Sequence, residues 1–206
     1  MKKQEKINAV YTLLDENSPE VIEFLKAPTI WQLLICIILS SQTTDKQVMK
    51  VSEHLFKRFT SLSDFMNSPL DDIKDEIKSI GFYNAKAKNI KETARILCTE
   101  FNGEVPLDID KLTALPGVGR KTANCIIGHA KGEDAVIVDT HFKRVVNRLG
   151  LTKSSDPQKI EMEIRKLLPP QKTFRFSMTA NLFGREICHA RGAECEKCYL
   201  REFCTV

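Results

Sequence analysis

Residues 115–124 have the sequence LPGVGRKTAN, a glycine turn that opens a helix. Its two glycines, one residue apart, allow positive backbone torsions and let another molecule approach the backbone closely. The helix that follows directs its first amides, which have no intrahelical acceptor, toward the turn. Such a turn suits a phosphate oxygen. Because Asp108 caps a helix before the turn, the stretch predicts a helix-hairpin-helix motif.

Lys121 lies in the first turn of the second helix of this motif. The positive end of the helix dipole and the charge of Arg120 both disfavour its protonation. A lysine that loses its proton more readily can act as a nucleophile. The alternative is a surface lysine that neutralises a phosphate at the hairpin.

The composition is that of an ordinary globular protein. The chain has 206 residues, of which 42% are hydrophobic, enough for one compact domain or two small ones. The net charge of +4 is mild, so any affinity for nucleic acid depends on where Lys and Arg are placed. We find no secretory signal and no run of the about 18 apolar residues of a membrane span, so we expect no membrane association and a reducing cytoplasmic location.

The apolar spacing predicts helices along almost the whole chain, and the fold class is therefore all-α. Residues 30–39 are apolar on almost every face, which predicts a central buried helix. Ser18 and Pro19 predict the start of a further short helix. The last long helix is expected to be interrupted at Gly184. Residues 135–138 form the only β-like run, which is too short to imply a sheet.

Two polar turns each allow two interpretations. The turn at residues 40–44 is either a plain helix–helix loop or a loop that presents Gln42 to a ligand. At the second turn, Phe82 is exposed for stacking or wedging between bases, or it packs under the turn. The lysines that follow it, Lys86, Lys88 and Lys91, are then either a DNA-facing surface or a solvated helix face.

Four of the seven cysteines crowd the C-terminal end of the sequence. Cys188, Cys195, Cys198 and Cys204 are separated by six, two and five residues. In a reducing compartment such a cluster indicates metal binding rather than disulfides. Four thiolates suit tetrahedral zinc or an iron–sulfur cluster. Only one pair has the tight spacing typical of zinc modules, so the spacing modestly favours iron–sulfur.

Five features in the same order resemble endonuclease III, the bifunctional DNA glycosylase/lyase of the helix-hairpin-helix glycosylase superfamily. They are LSSQTTD at 39–45, IGFYNAKAKNI at 80–90, LPGVGRKTAN at 115–124, VDTH at 138–141 and the cysteine spacing. The resemblance implies two helical domains flanking a DNA-binding cleft. A six-helix domain would span 24–133, and a discontinuous domain of 1–23 and 134–206 would carry the iron–sulfur loop at 188–204.

The resemblance also implies roles for individual residues. Lys121 would be the catalytic nucleophile and Asp139 the catalytic carboxylate, one from each side of the cleft. A 4Fe-4S cluster would be bound by Cys188, Cys195, Cys198 and Cys204. Gln42 would fill the space of the flipped nucleotide, and Phe82 would be the wedge. The implied DNA-binding residues are Gln42, Phe82, Leu115, Gly117, Val118, Gly119, Arg120 and His141.

The implied function is base excision repair of damaged double-stranded DNA by a monomeric enzyme, nucleoid-associated if bacterial. The enzyme would remove oxidised pyrimidines and cleave the strand 3′ to the abasic site by β-elimination. The alternatives are a mismatch-specific glycosylase of the same superfamily and a non-catalytic DNA-binding or redox iron–sulfur protein. Two positions depart from the family: Phe183 stands where many relatives carry histidine, and Thr113 where the familiar bacterial enzyme has glutamate near the lesion pocket.

Overall fold

The computed structural model describes residues 2–132 and 134–206, and within them it has eleven α-helices and no strand. The all-α prediction is therefore confirmed. The helices are α1 Lys3–Glu16, α2 Ile30–Ser40, α3 Asp45–Arg58, α4 Leu62–Asn67, α5 Leu70–Ile77, α6 Tyr83–Glu100, α7 Ile109–Thr113, α8 Arg120–Lys131, α9 Thr140–Arg148, α10 Pro157–Leu167 and α11 Pro170–Glu186. In the described residues no helix is long and apolar enough to cross a membrane.

The chain divides into two compact units, Glu23–Ile126 and Met1–Ile22 with Ile127–Val206. The division falls inside α8, whereas the sequence suggested a crossover at residue 133. The second half of α8 belongs with α11 because the two helices touch at Gly128. A Cβ atom at Gly128 would lie 2.1 Å from Cδ2 of Phe174, so only glycine fits under this ring.

The unit Glu23–Ile126 is built around the long helix α6, which packs against α2, α4 and α5. Side-chain caps start its helices: the Thr29 hydroxyl accepts a hydrogen bond from the backbone of Gln32, and Ser61 forms a capping box with Asp64. Apolar side chains on the inner faces form the core, in which the rings of Phe59 and Phe65 stack with centroids 4.6 Å apart.

The second unit packs α1 against α10 and α11, and α9 against α11. Ile7, Val10 and Leu14 recur at helical spacing on α1, and all three are fully buried in its core. The rings of Phe142 on α9 and Phe176 on α11 meet edge to face with centroids 5.8 Å apart. These contacts join α9 to α11, so the start of α9 is held against α11.

Two local predictions are wrong. Residues 17–29 form no helix, because the guanidinium Nη1 of Arg175 donates to the backbone oxygens of Pro19 and Glu20 at 2.8 and 2.9 Å. Gly184 does not interrupt α11, which continues to Glu186. The glycine instead allows close packing: a Cβ at Gly184 would lie 3.1 Å from the Cβ of His141.

Candidate functional site

The hairpin before α8 depends on one of its two glycines for its shape. Gly117 has a φ of 78°, and a Cβ there would lie 2.8 Å from the side-chain nitrogen Nδ2 of Asn89. Gly119 does not have a positive φ, and an added Cβ there would meet nothing within 4 Å. The positive torsion expected of the pair therefore belongs to Gly117, while Gly119 leaves open space beside the turn.

Helix α6 holds this hairpin in place. The hydroxyl of Thr93 donates to the backbone oxygen of Pro116 at 3.1 Å, and Asn89, one turn earlier, lies under Gly117. The side chains of Leu115 and Val118 are buried, so these two residues anchor the turn. Asn89 and Thr93 were not singled out in the sequence, although two polar residues four apart on a mostly apolar helix face are a usable signal.

Lys121 lies in the exposed first turn of α8, directly after the hairpin. Cys125 follows one turn later, and burial raises the pKa of its thiol to about 12 against the opposing effect of the Lys121 charge. The side-chain amide of Asn124 donates to the backbone oxygen of Arg120 at 3.3 Å. The amine of Lys121 is thus carried on an ordered helix start and is accessible to a ligand.

Asp139 occupies the N-cap of α9, and both of its carboxylate oxygens have partners. Oδ1 accepts a hydrogen bond from the backbone N–H of Phe142 at 2.7 Å. Oδ2 accepts a hydrogen bond from the side-chain amide of Asn181 on α11. The contact with Asn181 joins residues 42 positions apart and was not anticipated from the sequence.

Gln42, Phe82 and Gly117, which the sequence assigns to DNA, line one cavity of about 280 Å³ within the unit Glu23–Ile126. Gln42 and Phe82 both have left-handed backbone conformations, with φ of 53° and 60°. Such torsions are uncommon outside glycine and mark positions where the surrounding structure imposes the conformation. The Phe82 side chain is 68% exposed, so it does not pack under its turn.

Lys86 lines the same cavity but belongs to neither of the two surfaces expected for it. Its side chain is buried, and its Nζ donates to the backbone oxygens of Leu39 and Ser41 at 2.8 and 2.6 Å and to the Thr43 hydroxyl at 3.2 Å. Burial lowers the pKa of this ammonium below its ordinary value. Lys86 therefore braces both sides of the Gln42 backbone.

Lys91, on the same helix, likewise donates to backbone oxygens, those of Met66 and Ser68 at the end of α4.

His141 lies in the first turn of α9 and packs against Gly184 of α11. The Nη2 atom of Arg144 lies 3.3 Å from Nδ1 of His141 and donates to the Gly184 oxygen at 2.6 Å. The same guanidinium donates through Nε to the backbone oxygen of Cys188 at 2.9 Å. His141 is thus joined to the beginning of the cysteine loop through Arg144.

The four C-terminal cysteines are free thiols in one loop that contains little regular structure. Burial raises the pKa of Cys198, and the charges of Cys188, Cys204 and Cys195 raise it further, so the four sulfur atoms are electrostatic neighbours. Arg148 Nη1 donates to the sulfur of Cys188 at 3.2 Å. Across residues 2–132 and 134–206, no three His, Cys, Asp or Glu side chains converge closely enough to hold a single metal ion.

The two positions that depart from the family have ordinary structural partners. Phe183 is buried and meets the ring of Tyr199 edge to face, with centroids 5.2 Å apart, so it joins α11 to the cysteine loop. The hydroxyl of Thr113 donates to the backbone oxygen of Ile109 at 2.9 Å within α7. Thr113 is exposed, four residues before the hairpin glycine Gly117.

Two comparisons with known protein sequences each match most of the chain. The sequence profile of the HhH-GPD superfamily base excision DNA repair proteins matches residues 35–170. Endonuclease III of Synechocystis sp. is 40% identical over 203 residues, which are 98% of this chain and 93% of that relative.

Two solved structures are similar over the whole fold. A trapped covalent intermediate of endonuclease III with DNA, an estranged-adenine complex, has a TM-score of 0.93 and 35% identity and covers 100% of this chain and 97% of its own. A thermostable thymine-DNA glycosylase has a TM-score of 0.86 and 26% identity, with 98% and 95% covered.

Proposed function

Because this chain belongs to the HhH-GPD superfamily of base excision DNA repair proteins and, within it, to the endonuclease III family, we propose that it is a DNA glycosylase and AP lyase. Its substrates are oxidised pyrimidines in duplex DNA, and it cleaves the strand 3′ to the abasic site. The observation that carries the proposal is the exposed Lys121 in the first turn of α8, directly behind the Gly117 hairpin. Its place of action is the cytoplasm.

The hairpin supplies the grip on the damaged strand. The turn at Gly117 and the first amides of α8 offer N–H donors to a backbone phosphate, which the helix dipole attracts. A damaged base is rotated out of the stack, because the sugar carbon that bears it cannot be reached inside the duplex. Gln42 and Phe82, at one cavity, are the residues that we assign to the gap left in the stack.

Lys121 performs the covalent chemistry. Its neutral amine attacks C1′ of the deoxyribose, and the bond from C1′ to the base breaks, so that the base leaves with the electron pair and takes up a proton. Asp139 stabilises the positive charge that develops on the sugar and assists proton transfer. Loss of the nitrogen proton and ring opening give a Schiff base. Removal of a C2′ proton then expels the 3′ phosphate by β-elimination.

We also propose that Cys188, Cys195, Cys198 and Cys204 hold a 4Fe-4S cluster. Each thiolate of such a cluster binds its own iron, so the four sulfur atoms surround a body larger than one ion. The donor set fits this, because four cysteines that are electrostatic neighbours lie in one loop. Zinc fits less well, because zinc modules usually carry two short Cys-x-x-Cys pairs and this loop has one. With every position taken by a thiolate, the cluster supplies a structural cross-link.

Borohydride trapping on a duplex that contains thymine glycol tests the assignment. We expect a covalent adduct with the wild-type protein and none with Lys121→Gln, because the reducible Schiff base forms on this amine. Lys131→Gln is the matched control, since it removes the same charge from the exposed last turn of the same helix and should keep the adduct. An adduct that survives in Lys121→Gln, or none with the wild type, would overturn the lyase assignment.

A further inference from the structure

The carboxylate of Asp139 is held at two points that belong to different helices. The backbone N–H of Phe142, at 2.7 Å from Oδ1, is an ordinary N-cap contact within α9. The second contact, from the side-chain amide of Asn181 to Oδ2, comes from α11. An N-cap contact alone leaves a carboxylate free to turn about its own axis, whereas a second donor on the other oxygen fixes its plane.

The amide of Asn181 is itself fixed. Its side chain is 4% exposed, and its oxygen Oδ1 accepts a hydrogen bond from Nε of Arg185, one turn along α11, at 2.8 Å. Because the arginine is a donor only, the amide oxygen must face it, and the amide nitrogen must then face Asp139. The hydrogen bonds therefore run in one direction: Arg185 donates to Asn181, and Asn181 donates to Asp139.

The contact depends on how closely α9 and α11 approach. A Cβ at Gly184 would lie 3.1 Å from both the Cβ of His141 and Cγ2 of Val145. Glycine at this position lets the two helices pack tightly, one turn beyond Asn181. The short side chain of Asn181 therefore spans the gap to the N-cap of α9.

We infer that Asn181 is a positioning residue that orients the Asp139 carboxylate for cleavage of the glycosidic bond. The inference rests on the proposed function, in which Asp139 stabilises charge on the sugar. A neutral amide adds no charge of its own, so its contribution is orientation. Stabilisation of developing charge depends on groups that are placed before the reaction starts, and a displacement of about 1 Å costs about 100-fold in rate.

Single-turnover release of thymine glycol from duplex DNA, with enzyme in excess, measures this effect. We expect Asn181→Leu, which keeps the volume and removes the donor, to slow base release by about 10- to 100-fold. Binding of the same duplex should be unchanged, since Asn181 is buried. Asn181→Ser is measured beside it as a smaller polar substitution that cannot span the gap, and it should show the same loss. Thr179→Val is the matched control, because its hydroxyl bonds only within α11 at 3.2 Å.

The double variant separates positioning from simple structural support. If Asn181 acts through Asp139, then Asn181→Leu in an Asp139→Asn background should slow base release no further. A full additional loss in that background would overturn the inference, as would a wild-type rate in both Asn181 variants. Absence of base release by the wild-type protein would instead contradict the proposed function, so the two failures are distinguishable.

Discussion

The ammonium group of Lys86 lies among three oxygen atoms on both sides of Gln42. Two are the backbone oxygens of Leu39 and Ser41, and the third is the hydroxyl of Thr43. A buried cation without acceptors is costly, so these contacts have to persist for the side chain to stay in place. They lie at the end of α2 and flank residue 42, which has a left-handed conformation. The sequence groups Lys86 with two other lysines that could face DNA. In the structure Lys86 instead supports the turn from inside the protein.

Replacing this lysine by an apolar side chain of similar length tests the support. Lys86→Met leaves two carbonyl oxygens without their donor, and we expect the free energy of unfolding to fall by about 1–3 kcal/mol. The loosened turn should also slow base release from thymine glycol duplexes, because Gln42 is no longer held. Urea unfolding and single-turnover kinetics measure the two effects.

Lys88→Met is the control for the lost charge, since Lys88 is exposed on the same helix. It should change DNA affinity at most slightly and leave stability unchanged. Equal losses of stability in the two variants would show that charge on α6, and not the bracing of Gln42, is what matters.

At the scale of single residues, sequence reasoning succeeded where the partner is close in the chain. The cap at Asp108 was predicted, and its partners Asp110 and Lys111 lie two and three positions away. The partners of Lys86 lie 43 to 47 positions away, and Asn181 lies 42 positions from Asp139. Such contacts are set by tertiary packing, and helix periodicity carries no information on which distant oxygen a polar side chain meets.

Among the helices, the pair α9 and α11 carries both the cap at Asp139 and its neighbour Asn181. Gly184 lies in the contact between the two helices, and the atoms nearest to an added Cβ include the backbone oxygen of His141 at 3.2 Å. A backbone atom cannot turn aside as a flexible side chain can. The separation of the helices is therefore set by the absence of a side chain at residue 184.

Gly184→Ala should destabilise the protein although alanine is the better helix former. The propensity gain is about 0.5–1 kcal/mol, while overpacking costs about 1–3 kcal/mol. We also expect slower base release, because the added methyl group pushes α9 away from Asn181. Thermal unfolding and single-turnover kinetics measure both effects. Gly81→Ala is the control, since its Cβ would meet only the Gln42 oxygen at an ordinary 3.8 Å. A more stable Gly184→Ala protein would show that the helices separate without cost.

The helix starts were predictable because caps are local. Thr29, Thr44, Ser61, Asp108 and Asp156 each accept a backbone N–H bond at the helix that follows. The helix start expected at Ser18 and Pro19 did not form, and the backbone oxygens of Pro19 and Glu20 bond to Arg175, 156 and 155 positions away. Local signals decide where a helix begins only if no distant donor competes for the backbone.

At the scale of the whole molecule, the C-terminal loop is the segment that we propose to bind a metal cluster. From Cys188 onward its only regular element is a single 3₁₀ turn at Arg201–Phe203. Leu200 and Phe203 are buried in the core of its unit, and the backbone of Thr205 donates to the Arg148 oxygen at 2.8 Å. Most backbone hydrogen bonds of the loop join residues only two or three positions apart. We therefore expect a cross-link through the four cysteines to add order, and removing the metal should release this loop first.

Cys195→Ser tests this dependence, since Cys195 is an exposed member of the four proposed ligands. The purified wild type should contain iron and show visible absorption, and the variant should lose both. Hydrogen exchange should then speed up at residues 188–206 and at the end of α9, where Arg148 contacts Cys188, but stay unchanged in the unit Glu23–Ile126. Cys98→Ser, at a thiol on α6, is the matched control and should alter neither iron nor exchange. Bound zinc in place of iron would contradict the cluster, and unchanged exchange at 188–206 after metal loss would contradict its structural role.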